Sequence, residues 1–243
     1  MSQPRVKTGV PGLDKMLNGG LLPGSIVLVR GAPGTGKTSL AMQFLLEGAR
    51  SDEPGLLITF EEFPASLYRD AASLGWELEP LEWERKLHLM FTSPEVFLAG
   101  LEIPDSPLNR QLREANIRRV ALDSVTHFGR LTSDPHELRH IYTRVINSLR
   151  REGVTSMLLG EESRSEAVRA DRGGLSFTVD VIILLRYVEV ESTVQRAITV
   201  LKMRGSDHDK GIHRYDIGKG GLTVGDVFEG RQGLLYGISS RPA

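Results

Sequence analysis

Residues 31–38 read Gly-Ala-Pro-Gly-Thr-Gly-Lys-Thr, a complete match to the pattern G-x-x-x-x-G-K-[ST]. Glycines at 31, 34 and 36 let backbone N–H groups, that of Thr35 among them, curl around an anion without interference from a Cβ atom. Lys37 would place a point charge near the outer phosphates, and Thr38 a hydroxyl on a divalent cation. Ser39 follows in the first turn of the helix that the loop opens, whose positive dipole end faces the phosphates. A turn that merely joined a strand to a helix would require neither the lysine nor the threonine. The motif establishes phosphate binding, and by itself leaves open both the base and whether the nucleotide is hydrolysed.

Such a site needs an acid at a strand end to hold the metal shell. Asp123, after Arg-Arg-Val-Ala-Leu, fits that place, and Ser124 adds a hydroxyl. Hydrolysis needs a further group to orient or deprotonate water. Glu61 and Glu62 follow the strand that ends in Thr59-Phe60. Ligands of open α/β sheets sit beyond the carboxyl ends of the strands, so this pair can reach a water at the terminal phosphate.

These residues must be carried by particular elements. Buried strands are expected at 25–30, 55–60, 120–122, 155–159 and 181–185, apolar runs without alternation, and a short strand at 87–91. Helices are expected at Leu13–Leu17, Lys37–Gly48 and Pro64–Leu74, and most clearly over 135–151. There Asp134 can cap, Pro135 fits the first position and Glu137 sits where a capping-box acid belongs. Residues 92–116, with three prolines, resist assignment, and Ala197–Lys202 with Gly211–Ile217 resemble a terminal antiparallel pair. The expectation is an α/β fold, a mainly parallel twisted sheet with helices on both faces. No repeat or linker interrupts the chain, so it reads as one domain over 1–243, with a core at about 6–224 and a C-terminal tail at 230–243.

Composition narrows the function classes. Of 243 residues 40% are hydrophobic and 25% charged, the balance of a globular protein. A net charge of -1 gives no whole-molecule attraction to nucleic acid or acidic membranes. The chain has no cysteine, which excludes disulfides, thiolate catalysis and zinc-thiolate sites. No apolar run approaches the ~20 residues that span a bilayer, so no membrane role and a cytoplasmic location are expected. Of the six histidines, His136 and His140 lie four apart on the clear helix, with no third ligand in view, and read as surface residues. Trp76 and Trp83 read as packing residues.

Beyond these motifs the chain resembles the KaiC-like branch of the RecA/RadA ATPases, over about Val6 to Val224. The resemblance is carried by Thr8-Gly9-Val10-Pro11-Gly12-Leu13-Asp14 with Leu17 and Gly19-Gly20, and by the loop 31–38. Thr59-Phe60-Glu61-Glu62, Ser73-Leu74-Gly75-Trp76 and Leu122-Asp123-Ser124 continue it. The late strand Asp180–Tyr187 and Lys202-Met203-Arg204-Gly205-Ser206-Asp207-His208, similar to K-x-R-G-[ST]-x-H, complete it. The resemblance implies a RecA-like P-loop fold, ATP with Mg2+, and an ATPase built as a homo-oligomeric ring, a hexamer, with ATP between protomers. It implies that Glu61 and Glu62 act in hydrolysis, that Ser73 lies near the nucleotide, and that Lys202 and Arg204 reach the γ-phosphate of the neighbouring protomer. Ser206 and His208 would approach from that same side.

The clock proteins of the family carry two such domains in tandem, and their autophosphorylating domain has adjacent Ser/Thr acceptors just before the late strand. Here the matching positions are Ser176 and Phe177, which leaves Ser176 or Thr178 as acceptors and puts autokinase activity second to ATP hydrolysis. A third reading is a RadA-like DNA-binding protein. In the loop 162–174 region Glu161, Glu162, Glu166 and Asp171 offset Arg164, Arg169 and Arg172, with no aromatic before Phe177. That balance disfavours tight DNA binding, which pairs a positive groove with stacking rings, and suits a pore lining.

Overall fold

The computed structural model describes residues 4–162, 174–229 and 233. Its strands are β1 (Ile26–Gly31), β2 (Gly55–Thr59), β3 (Leu87–Phe91), β4 (Arg119–Asp123), β5 (Thr155–Glu161), β6 (Val181–Val190), β7 (Thr193–Met203), β8 (His213–Gly218) and β9 (Gly221–Val227). They form one nine-stranded sheet in the order β3-β2-β4-β5-β1-β6-β7-β8-β9. The pairs from β3 through β6 are all parallel. Those from β6 through β9 are antiparallel.

Side-chain alternation distributes each central strand over two cores. Val27 and Val29 of β1 face one core with Leu40, Phe44 and Leu45 of α2 (Lys37–Arg50). Ile26 and Leu28 face the other, with Leu138, Ile141, Val145 and Leu149 of α7 (Pro135–Arg151). The α2 side also carries α1 (Leu13–Met16), α3 (Pro64–Ser73) and the short α4 (Glu79–Trp83). The α7 side carries α5 (Pro94–Glu102), α6 (Pro107–Glu114) and α8 (Leu175–Thr178). Helices on both faces of a mainly parallel sheet are the architecture expected from the sequence.

Several expectations need correction. Residues 92–116 contain two helices, each started by the same device: Ser93 accepts from the Val96 N–H and Ser106 from the Asn109 N–H, with proline next in the chain. Strand β7 pairs along almost its whole length with β6 and meets β8 only at Ala197 and Ile198. The terminal pair is β8 with the unexpected β9. Asp134 caps α7 by accepting from the His136 N–H at 2.9 Å. Glu137, however, accepts from the Thr132 hydroxyl, while the Asp134 N–H donates to Thr132 Oγ1, so the capping box is displaced by a threonine. Trp76 is buried, but Trp83 is 88% exposed at the end of α4, outside the core. Arg164, Glu166, Arg169, Asp171 and Arg172, and the tail 230–243 apart from residue 233, fall outside the described residues.

The N-terminal signature has a local reason. The Thr8 N–H and hydroxyl both donate to Asp14 Oδ1, at 2.8 and 2.9 Å, closing the segment onto α1. Arg119, 2% exposed on β4, then ties that segment to the sheet. Its guanidinium donates to the carbonyls of Lys7 and Phe44 at 2.7 and 2.8 Å and pairs with Glu53 at 2.6 Å.

Candidate functional site

Parallel pairing brings the carboxyl ends of four strands level. Thr59 registers with Asp123, Asp123 with Leu159, and Leu159 with Val29. The loop leaving β1 and the acids leaving β2 and β4 therefore open on one edge of the sheet, where an open α/β fold places its ligands.

In the glycine loop, Gly34 and Gly36 have φ of 78° and 88°, a left-handed backbone that side chains rarely adopt. Gly36 also precedes α2 as a cap with no side-chain hydrogen bond, which leaves the first N–H groups of the helix without a capping side chain. Lys37 is 9% exposed, and its ammonium donates to the carbonyls of Gly31 and Ala32 at 2.9 and 3.2 Å. Burial lowers its pKa, opposed by Glu161 at the end of β5 and by Asp123. The Thr38 hydroxyl donates to Asp123 Oδ2 at 2.7 Å. Burial raises the Asp123 pKa, with Thr38 and Lys37 pulling it back. Ser39 lies half-buried in the first turn.

The two glutamates separate into different surroundings. Glu61 Oε1 lies 3.2 Å from His127 Nε2 and accepts from the Arg130 guanidinium at 3.1 Å. His127 and Arg130 belong to a 3₁₀ turn, Val125–Arg130, that follows directly from Asp123. Glu62 is half-buried, its N–H anchored to Thr59 Oγ1 at 3.1 Å. Burial, then the Asp123, Asp70 and Glu61 charges, raise its pKa, and Arg69 lowers it. The sequence reading missed His127 and Arg130. Their spacing from Asp123 was visible, but the turn that folds them back onto Glu61 has no period of its own.

Lys202 and Arg204 are not part of this edge. Lys202 registers with Ile182, and Ile182 with Leu28, so the end of β7 lies toward the opposite edge of the sheet. There Lys202 donates to the carbonyls of Ser176 and Val179, both at 2.8 Å, and Arg204 to that of Phe177 at 2.6 Å. Burial, then Arg204, lower the Lys202 pKa. Ser206 accepts from Arg5 at 2.9 Å, and the neighbouring His208 N–H donates to Asp207. Ser73, exposed at the end of α3, donates to the Asp70 carbonyl at 2.7 Å. The next carbonyl, of Leu74, accepts from Gly220 at 2.7 Å, which links this corner to the β8–β9 turn.

A family model described as "ATPase: KaiC" matches residues 6–227. The chain belongs to the KaiC-like ATPase family. It is 35% identical to the circadian clock oscillator protein KaiC of a Picosynechococcus strain over 243 residues, 100% of this chain and 46% of that protein. It thus spans about half the length of the KaiC proteins it matches. A UPF0273 protein of Pyrococcus horikoshii is 34% identical, over 90% of this chain and 93% of its own. The crystal structure of a KaiC-like protein from the same archaeon superposes with a TM-score of 0.82 at 30% identity, covering 93% of this chain and 100% of that one. The KaiC-like chain has the RecA-like fold, and its family implies nucleotide binding. Among the described residues no helix is long and apolar enough to cross a membrane. None holds a cluster of three or more His, Asp or Glu side chains fit for a metal ion.

Proposed function

We propose that this KaiC-like chain is a Mg-ATP-dependent ATPase that works as a homo-oligomeric ring, with each ATP completed by a neighbouring protomer, in a regulatory or signalling role. The observation that carries the reading is the division of the charged groups. Lys37, Thr38, Asp123 and Glu62 share one edge, while Lys202 and Arg204 lie toward the other. Within one copy the second pair stands far from its own phosphate loop, so it would meet a nucleotide only on another copy. Each half also carries exposed apolar surface. Phe63, next to Glu62, is 64% exposed and stacks on Phe91, while Phe177, which holds Arg204, is 73% exposed. Burial of such surface drives association.

The donor set fits magnesium. Thr38 and Asp123 offer hard oxygens 2.7 Å apart, and this ion takes one or two protein oxygens with phosphates and water as the rest. When bound, it would neutralise charge on the phosphate oxygens. Lys37 would bind the outer phosphates. Glu62, held near Asp123 and raised in pKa by burial, would accept a proton from the attacking water. Glu61, already engaged by His127 and Arg130, would orient it. Lys202 and Arg204 from the neighbour would meet the charge that builds on the γ-phosphoryl group.

The mass of the protein with and without Mg-ATP, with phosphate release by wild type and Glu62→Gln, tests the reading. A ring with ATP and release lost in the variant is expected; a monomer whose release is unchanged would remove both the ring and the base. Lys37→Ala should lose nucleotide affinity about a hundredfold or more. One contact favours autokinase activity as a second reading: Lys202 holds the carbonyl of Ser176, which keeps that residue beside the trans cations. Label from γ-labelled ATP on Ser176 or Thr178 is its signature. DNA-stimulated turnover would point to the DNA-binding alternative instead.

A further inference from the structure

The phosphate loop is held from behind by the antiparallel extension. Tyr215 of β8 is 2% exposed, and its hydroxyl donates to the Thr35 carbonyl at 2.5 Å. Thr35 is fully buried, and its own hydroxyl donates to the Ala32 carbonyl at 2.7 Å. Two residues along β8, Ile217 presses on Gly36, where an added Cβ would lie 2.4 Å from Ile217 Cδ1. From β6, the Tyr187 hydroxyl lies 2.9 Å from where a Cβ on Gly34 would stand. The Arg196 guanidinium of β7 sits 5.8 Å from the Tyr187 ring centre.

Peptide geometry gives these contacts a consequence. A trans peptide points its C=O and the following N–H in opposite directions. Drawing the Thr35 carbonyl onto Tyr215 therefore turns the Gly36 N–H away from β8, toward the open side where α2 begins. Burial holds the Tyr215 phenol well above its usual range, so it stays a donor. A loop fixed in this way surrenders less conformational freedom when it closes on an anion.

We propose that Tyr215, supported by Ile217 and Tyr187, is a positioning residue that pre-sets the N–H groups of the phosphate loop and thereby sets nucleotide affinity. The proposal rests on the nucleotide-binding reading of the loop and adds residues that lie outside its motif. It predicts an effect on binding rather than on the chemical step, because Tyr215 reaches the loop backbone and no reacting group.

Calorimetric titration with Mg-ATP, steady-state phosphate release and thermal melts of wild type, Tyr215→Phe, Tyr187→Phe and Lys37→Ala test it. For Tyr215→Phe we expect Kd and KM to rise together by roughly three- to tenfold, the range of one buried hydrogen bond, with kcat within about twofold. Tyr187→Phe, at a less buried position than Tyr215, should weaken binding by about twofold. A Tyr215→Phe protein that melts earlier but binds Mg-ATP as wild type does would overturn the proposal by making the residue purely structural. So would a fall in kcat with KM unchanged. Wild-type affinity in Lys37→Ala would instead overturn the nucleotide reading. Loss of binding there with full affinity in Tyr215→Phe would sink the positioning role alone.

Discussion

The two edges of the sheet are built in opposite ways. At the β1–β2–β4 edge Lys37, Asp123 and Glu62 are buried or half-buried, and the first two already have partners, with Thr38 on Asp123 and Lys37 on its own loop carbonyls. At the far end of β7 the cations occupy backbone carbonyls of α8 and its flank, and Arg204 is exposed. The first edge has the character of a preorganised site, in which fixed groups cost little reorganisation when charge develops. The second is a presented surface, whose energetic value depends on being covered. The contrast teaches where cooperativity would enter: the same strand, β7, ends in the presented cations and lies beside β6 and β8, which carry the tyrosines behind the phosphate loop.

The sharpest way to break this contrast is to mix two defective proteins. Arg204→Ala alone should cut kcat by about a thousandfold, the scale of an arginine supplied in trans, while leaving Mg-ATP affinity within several-fold. Lys37→Ala alone should be equally silent. Mixed and allowed to exchange subunits, the two should regain a measurable share of phosphate release, because some interfaces pair an intact phosphate loop with an intact Arg204. Release that stays at the level of the separate proteins would place Arg204 on its own protomer's chemistry or on none.

Within the buried edge, the glutamates sharpen the comparison further. Glu62→Gln should lower kcat by about a hundredfold or more. Glu61→Gln should cost less, since His127 and Arg130 can still hold an amide oxygen. The pH profile follows from direction. Burial raises the Glu62 pKa, and a base works deprotonated, so turnover should fall on acidification at a higher pH than an ordinary glutamate would give. The linkage has the matching sign. A carboxyl whose folded pKa is raised binds its proton better folded than unfolded, so ionised Glu62 costs stability above that pKa, and the cost fades as pH falls through it. Glu62→Gln should therefore melt slightly higher near neutral pH while turning over far more slowly. A variant that melts lower, or an acidic limb that persists unshifted in Glu62→Gln, would remove Glu62 as the base.

The buried edge was largely readable from the sequence because its signals are local. A glycine loop between an apolar strand and a helix, and acids at strand ends, are each confined to a few residues. What escaped depends on distant partners. Tyr215 lies 180 residues from Thr35 in the chain, and nothing in His-Arg-Tyr-Asp-Ile marks its hydroxyl as a loop anchor. Strand β9 escaped because Gly-Leu-Thr-Val-Gly-Asp-Val is broken by glycine and largely exposed on one side. Arg119 stands in the sequence only as the second arginine of Arg-Arg-Val-Ala-Leu. Its burial appears only when Lys7, Phe44 and Glu53 converge on it. Arg119→Met should cost about 2–3 kcal/mol, toward the lower end for a broken buried pair because Glu53 is 36% exposed. That corresponds to a fall in Tm of roughly 5–10 °C, read with Mg-ATP affinity unchanged.

The smallest effect comes from a signal that was local and still overlooked. Ser93-Pro94 and Ser106-Pro107 repeat the pattern of a cap followed by proline, yet three prolines within 92–116 also fit irregular chain. Ser106 is 5% exposed and serves both helices. Its oxygen accepts the Asn109 N–H at 3.1 Å to start α6, and its hydroxyl donates at 2.7 Å to the carbonyl of Gly100 in α5. Ser106→Ala should cost about 1–2 kcal/mol, more than the cap at Ser93, because it also removes one of the two donors to the Gly100 carbonyl and leaves only the Asn109 amide at 2.9 Å. Both substitutions lie far from the phosphate loop and should leave phosphate release as it is. Equal costs at the two caps would mean that the Gly100 contact adds nothing, and that α5 and α6 are held together by their apolar face alone.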